Sequence, residues 1–190
     1  GNGEGGGAIY VGYGKLTLNN VTATNNTASD FGGVVDAADA DVIINGGTFS
    51  GNTTKTGGVV YATTKSVLTI DNATFTENVA TSGGAITLYS SNADITNSTF
   101  RGNYSYLGGA IQNTTGILNI ADSVFTENKA DKDQNGSNGN GGAIINTAGT
   151  VTITGDTTFT KNTSQNHGGA VYVSYTSNAD GTKNSGILNV

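Results

Sequence analysis

The chain has no cysteine, no proline and no methionine, and it has a single histidine. Without cysteine it forms no disulfide and no thiolate metal site, and the redox compartment is left open. Charged side chains make up 12% of its 190 residues, roughly half the share usual for soluble domains. Eight Lys and Arg stand against 14 Asp and Glu, a net charge of −6. No basic patch results, so binding to nucleic acid or to an anionic membrane surface is not expected. No apolar run is long enough to cross a membrane as a helix. The chain lacks a secretory leader and an initial Met, and it reads as a piece of a longer precursor.

What the chain does have is a phrase that returns seven times. Gly6-Gly7-Ala8-Ile9 recurs at Gly32-Gly33-Val34-Val35, Gly57-Gly58-Val59-Val60 and Gly83-Gly84-Ala85-Ile86. It recurs again at Gly108-Gly109-Ala110-Ile111, Gly141-Gly142-Ala143-Ile144 and Gly168-Gly169-Ala170-Val171. Successive starts are 26, 25, 26, 25, 33 and 27 residues apart. A period in this range marks a solenoid, in which each unit buries its apolar face on its neighbours.

A second phrase follows each Gly-Gly. Its clearest copy is Leu68-Thr-Ile70, leading to Phe75 and Asn78. Phe49, Phe100, Phe125 and Phe159 occupy the same place in other repeats, and Ala23 occupies it in the first. Apolar and polar residues alternate over short runs, the period of a half-buried strand. Ile9, Val35, Val60 and their equivalents define one inward-facing strand, Leu68 and Ile70 a second, and Phe75 a third. No stretch has helical spacing with caps. Leucine-rich repeats share the length but not the regular Leu scaffold. The predicted fold is therefore all-β: a right-handed, single-stranded parallel β-helix of about seven coils of 25–27 residues, with three short strands per coil. Residues 1–190 form a single β-helix segment with a loop insertion at 129–140. The rod would be ~30–35 Å long.

The Gly pairs predict corners with positive φ or close backbone approach. The Asn residues at 26, 52, 78, 103, 128 and 162 fall at one place in successive coils. They predict a structural row of stacked side chains.

The pairing of Gly-Gly-Ala-Ile with Phe-x-x-Asn resembles the repeats of polymorphic outer-membrane proteins and related adhesin-like surface proteins. Phe75-Thr-Glu-Asn78 before Gly83-Gly84-Ala85-Ile86 carries the resemblance. So do Phe100-Arg-Gly-Asn103 before Gly108-Gly109 and Phe125-Thr-Glu-Asn128 before Gly141-Gly142. The resemblance implies a secreted β-helical passenger, displayed at the cell surface and used in adhesion. The family also carries a C-terminal barrel, and nothing in these residues corresponds to one.

β-Helices also host polysaccharide lyases and glycoside hydrolases. A lyase needs a strong base, and the one arginine, Arg101, lies inside a repeat phrase. A hydrolase needs two carboxylates at a defined separation. Asp36, Asp39 and Asp41 are the nearest approach to that. Asp36 is expected to face outward between the aromatic residues Tyr10 and Tyr61, in a solvated acidic corner. His167 takes the corner position held elsewhere by Phe31, Thr56, Ser82 and Leu107. It forms no triad and has no zinc spacing.

The long repeat carries the one ligand-like spacing. Asp131-x-Asp133-x-Asn135-Gly136 matches the first half of a calcium loop, with Ser137 placed to offer its carbonyl. Gly142 stands where the loop's last carboxylate would be, so an adjacent coil would have to supply that ligand. Calcium at Asp131, Asp133, Asn135 and Ser137 is thus the one cofactor candidate, and the alternative is a simple polar surface loop. Glycosylation triplets are frequent, for example at Asn20, Asn52, Asn72, Asn97, Asn113 and Asn162. Ranked Thr-x-Thr pairs, as at Thr22 to Thr24 and Thr152 to Thr154, do not fall in register along the sequence.

The chain is expected to be a non-enzymatic, extracellular, adhesin-like module. Its expected partners are host or neighbouring-cell surface molecules, glycans among them. Its open ends would continue into the rest of the parent chain or stack on other copies. The alternative is a carbohydrate-active β-helix enzyme.

Overall fold

The computed structural model describes residues 2–190, with side chains from Gly6 onward. It is a parallel β-solenoid of about six turns, with no helix among the described residues. Three sheets run along it. The first joins the strands that follow each Gly-Gly pair, from Ile9–Gly12 through Val35–Ala38 and Val60–Thr63 to Val171–Ser177. The second joins seven strands, from Lys15–Asn19 to Ile187–Asn189. The third joins six, from Thr22–Thr24 to Thr158–Thr160.

A fourth side was not anticipated. It is a line of very short contacts just past the Asn row. Thr27 bridges Thr53, Thr53 bridges Val79, and Val79 bridges Tyr104. The line then continues through Tyr104–Ser105, Lys129–Ala130 and Thr163–Ser164. These pieces are too short and too polar to show alternation in the sequence.

Register is exact from coil to coil. Leu68 lies beside Val42 and Ala93, and Ile70 beside Ile44 and Ile95. Phe49, Phe75, Phe100, Phe125 and Phe159 form one stack, with centroids 5.1, 4.8, 4.7 and 4.9 Å apart. That spacing is the distance between neighbouring strands. The core is thus a set of columns of like residues, each touching its own kind in the next coil.

The two glycines of each pair have different tasks. The first takes a positive φ, for example 66° at Gly57 and 64° at Gly108, a region costly for residues with a Cβ. The second, except Gly169 in the last pair, has no room for a Cβ. One placed on Gly58 would collide with the carbonyl oxygen of Gly84, and one on Gly84 with that of Gly109.

The seventh phrase begins a turn that differs from the rest. Its strand runs on to Ser177, and Lys183–Ser185 folds back antiparallel on Tyr175–Ser177. This hairpin covers only that extension. Ile187, Leu188 and Val190 remain exposed.

Candidate functional site

The Asn row is internal. Asn52, Asn78, Asn103 and Asn128 are fully buried. Each side-chain oxygen accepts from the backbone N–H and the side-chain amide of the preceding Asn, as at Asn78 with Asn103, 3.1 and 2.9 Å. Each side-chain amide also donates to a carbonyl one coil back, Asn52 to Ala23 and the others to the Phe there, as Asn103 does to Phe75 at 3.0 Å. The row holds coils together and is closed to ligands. Of the glycosylation triplets, Asn52 and Asn113 are buried. Asn20, Asn72 and Asn97 stand exposed at corners, with φ of 49°, 53° and 50°.

The long repeat keeps the coil and adds an excursion. Lys129 and Ala130 still pair with Tyr104 and Ser105, and Asn140 returns beside Leu107. Between them Asp133 organises the loop. Its Oδ1 accepts from the backbone N–H groups of Asn135 and Ser137 at 3.0 and 2.9 Å, and its Oδ2 from the Asn138 side chain at 2.8 Å. Asp131 pairs with Lys129 at 2.8 Å, while its Oδ1 is buried without a hydrogen-bond partner. Among the described residues, no three His, Cys, Asp or Glu side chains gather as a metal site.

Asp36 departs from the expectation. It has the outward phase and lies between Tyr10 and Tyr61 on neighbouring strands, but it is only 7% exposed. Strand parity aims it outward, yet it is covered where the chain turns the Gly32 corner. Phe31 reaches across to stack on Tyr61, centroids 4.7 Å apart. The same crease buries Thr87 and Ile145, the equivalents in other coils. Burial pushes the Asp36 carboxyl above its ordinary range. It likewise raises Tyr61, with the nearby Asp36 charge adding to the effect. The solvated acidic corner is thus confined to Asp39 and Asp41, both exposed. They line a depression of about 380 Å³ with Tyr13, Lys15 and Lys65.

His167 occupies the expected corner. It is exposed, stacks on Tyr172 at 5.4 Å and lies 3.1 Å from the Asn140 side-chain oxygen. Arg101 pairs with Glu127 across an exposed edge at 3.3 Å.

Two surfaces escaped the sequence reading. The second sheet bears a depression of about 370 Å³ flanked by Asp94, Thr96, Asn119, Thr152 and Thr154. Asn119 donates to Asp94 there at 2.8 Å. Beside it, Thr96 and Asn97 donate to Asp71 and hold its carboxyl below the ordinary range. On the third sheet, Thr22, Thr48, Thr74, Thr99 and Thr158 do line up in register, in a rank interrupted by Val124. The parallel rank of Thr24, Thr76, Thr126 and Thr160 is interrupted by Ser50 and Arg101. Aligning the residues that flank each Phe would have revealed both ranks.

The fold and its ladders define a repeat protein of the parallel β-solenoid class. A family model described as Chlamydia polymorphic membrane protein (Chlamydia_PMP) repeat matches residues 156–174. That stretch contains Phe159-Thr-Lys-Asn162 and Gly168-Gly169-Ala170-Val171, so the match falls on the two phrases that carry the resemblance. No curated protein and no solved structure matches the chain.

Proposed function

We propose that this chain is a segment of a surface-displayed, adhesin-like protein, exported to the cell exterior. On this reading it is a β-solenoid stalk whose outer faces carry the recognition chemistry. The observation that carries it is the division of labour between inside and outside. The Gly pairs and the Asn row recur from coil to coil and the Phe stack runs from Phe49 to Phe159, as a spacer requires, while the outward columns vary. The repeat match at residues 156–174 points the same way. The partners would be host or neighbouring-cell surface molecules, with glycans among them, and no catalytic role is assigned. Two measurements test it. Antibody raised against the chain should label intact, unpermeabilised cells of the source organism, and beads coated with the chain should be retained on target-cell surfaces. Labelling only after permeabilisation would sink the surface reading. Release of reducing ends or unsaturated products from a polysaccharide panel would favour the lyase or hydrolase alternative.

The loop of Asp131, Asp133, Asn135 and Ser137 is proposed as a calcium site. There the ion would exchange with Asn138 and Lys129 for the carboxylate oxygens they now hold. Calorimetric titration with Ca²⁺ should give a saturable heat, and none at millimolar metal removes the proposal.

A further inference from the structure

Asp36 is a nearly buried carboxylate without a partner. Among the described residues it accepts no hydrogen bond, and the three ion pairs are Lys55–Asp30, Arg101–Glu127 and Lys129–Asp131. A buried charge left unpaired is costly, and native structures normally supply it with donors or a counter-charge. Yet it is not sealed in. The fully enclosed, partnerless side-chain atoms belong to Thr54, Gln112, Asn113 and Asp131, and Asp36 is absent from that set.

Its surroundings are aromatic. Tyr61 flanks it on one neighbouring strand and is stacked on Phe31. Tyr10 flanks it on the other, 63% exposed, with its ring lying along Gly12. Phe31 is itself 40% exposed at the rim. The nearest lysines, Lys15 and Lys65, sit at the next corner with Asp39 and Asp41.

We propose that this crease binds an organic primary ammonium group, with the Asp36 carboxylate accepting its N–H bonds and Tyr10, Phe31 and Tyr61 lining its hydrocarbon flank. The charge and donor needs of Asp36 select that chemistry. One carboxylate offers two oxygens, far fewer than the ~6–8 that calcium requires. A neutral sugar would supply donors but leave the charge uncompensated. An ammonium supplies both and is drawn to the faces of tyrosine rings. The group would come from an amino sugar or from a lysine side chain. The assignment gives the recognition role above a chemical target. Titration of the purified chain reads one and display on cells reads the other, so either can fail alone.

The test is a titration of the full 190-residue chain, followed by NMR or calorimetry, with D-glucosamine and Nα-acetyl-lysine methylamide. N-acetyl-D-glucosamine and Nε-acetylated lysine are the neutral controls. Saturable binding of an ammonium probe is expected, with Kd on the order of 1–10 mM, and at least ~10-fold weaker binding of its neutral control. Whichever of the two ammonium probes binds identifies the source. Asp36→Asn should lower affinity by ~10-fold or more, and the exposed Tyr10→Leu by ~3-fold. A melting curve confirms that each variant is folded. Equal binding of the acetylated probes would make this a neutral-ligand site and overturn the proposal. So would full affinity in Asp36→Asn, or no binding of either ammonium probe at ~50 mM.

Discussion

At the residue scale, stability is concentrated in side chains whose removal leaves a neighbour unsatisfied. Asn103→Ala strips the acceptor from two donors on Asn78 and the donor from the Phe75 carbonyl. Each buried orphan costs ~1–3 kcal/mol. Urea unfolding should therefore show a loss of ~3–5 kcal/mol, far more than Asn97→Ala at an exposed corner. Gly84→Ala meets the carbonyl of Gly109 with no room to relax, so it should fail to reach the native circular dichroism spectrum. Asp36 gives a pH signature. Its folded-state pKa lies above the ordinary value of 3.8, so the folded chain gains stability as pH falls from neutral through that raised pKa. The gain is complete once the unfolded chain is protonated too. The titratable groups beside it on the neighbouring strands are Tyr10 and Tyr61, and burial raises the Tyr61 hydroxyl further from this range. Asp36→Asn should melt above the parent at pH 7, and the gap should close toward pH ~4. A gap independent of pH would contradict the assigned cause.

At the element scale, the long repeat is an ordinary coil with a loop let out of it. Its 33-residue spacing exceeds the preceding 25 by eight, the length of Lys132–Gly139. The flanking contacts, Lys129 with Tyr104 and Asn140 with Leu107, are those of a regular coil. Deleting 132–139 should leave a chain that folds, with a melting temperature within ~4 °C of the parent. Marked unfolding would show that Asp133 and its loop are part of the coil's support. The insertion and its Asp-x-Asp-x-Asn-Gly order were legible in the sequence. How Asp133 spends its oxygens was not, because an Asx-type turn and a metal loop use the same residues in the same order.

At the scale of the whole molecule, the strands pair almost wholly coil to coil. Unfolding should therefore propagate from the ends, where Ile187, Leu188 and Val190 are exposed, and reach the central coils last. Hydrogen exchange should rank amides accordingly, slowest from Val60 through Phe125 and fastest beyond Ser177. Uniform protection would count against a nearest-neighbour stack.

The sequence by itself determined the period, the inward columns, the Asn row and the Phe stack, because each recurs at a fixed offset and repetition amplifies a weak local signal. It also carried the repeat resemblance that the match at residues 156–174 finds again. Only the tertiary structure decided where the outward residues lie. Alternation assigns Asp36 to the outside, but it lies nearly buried beside Tyr61, on which Phe31 stacks from the Gly32 corner. The Thr ranks of the third sheet and the depression around Asp94 and Asn119 likewise join residues from separate coils. Their meeting depends on coil-to-coil register, which fixes neighbours some 25 residues apart; the pattern within one repeat says only which way each side chain points.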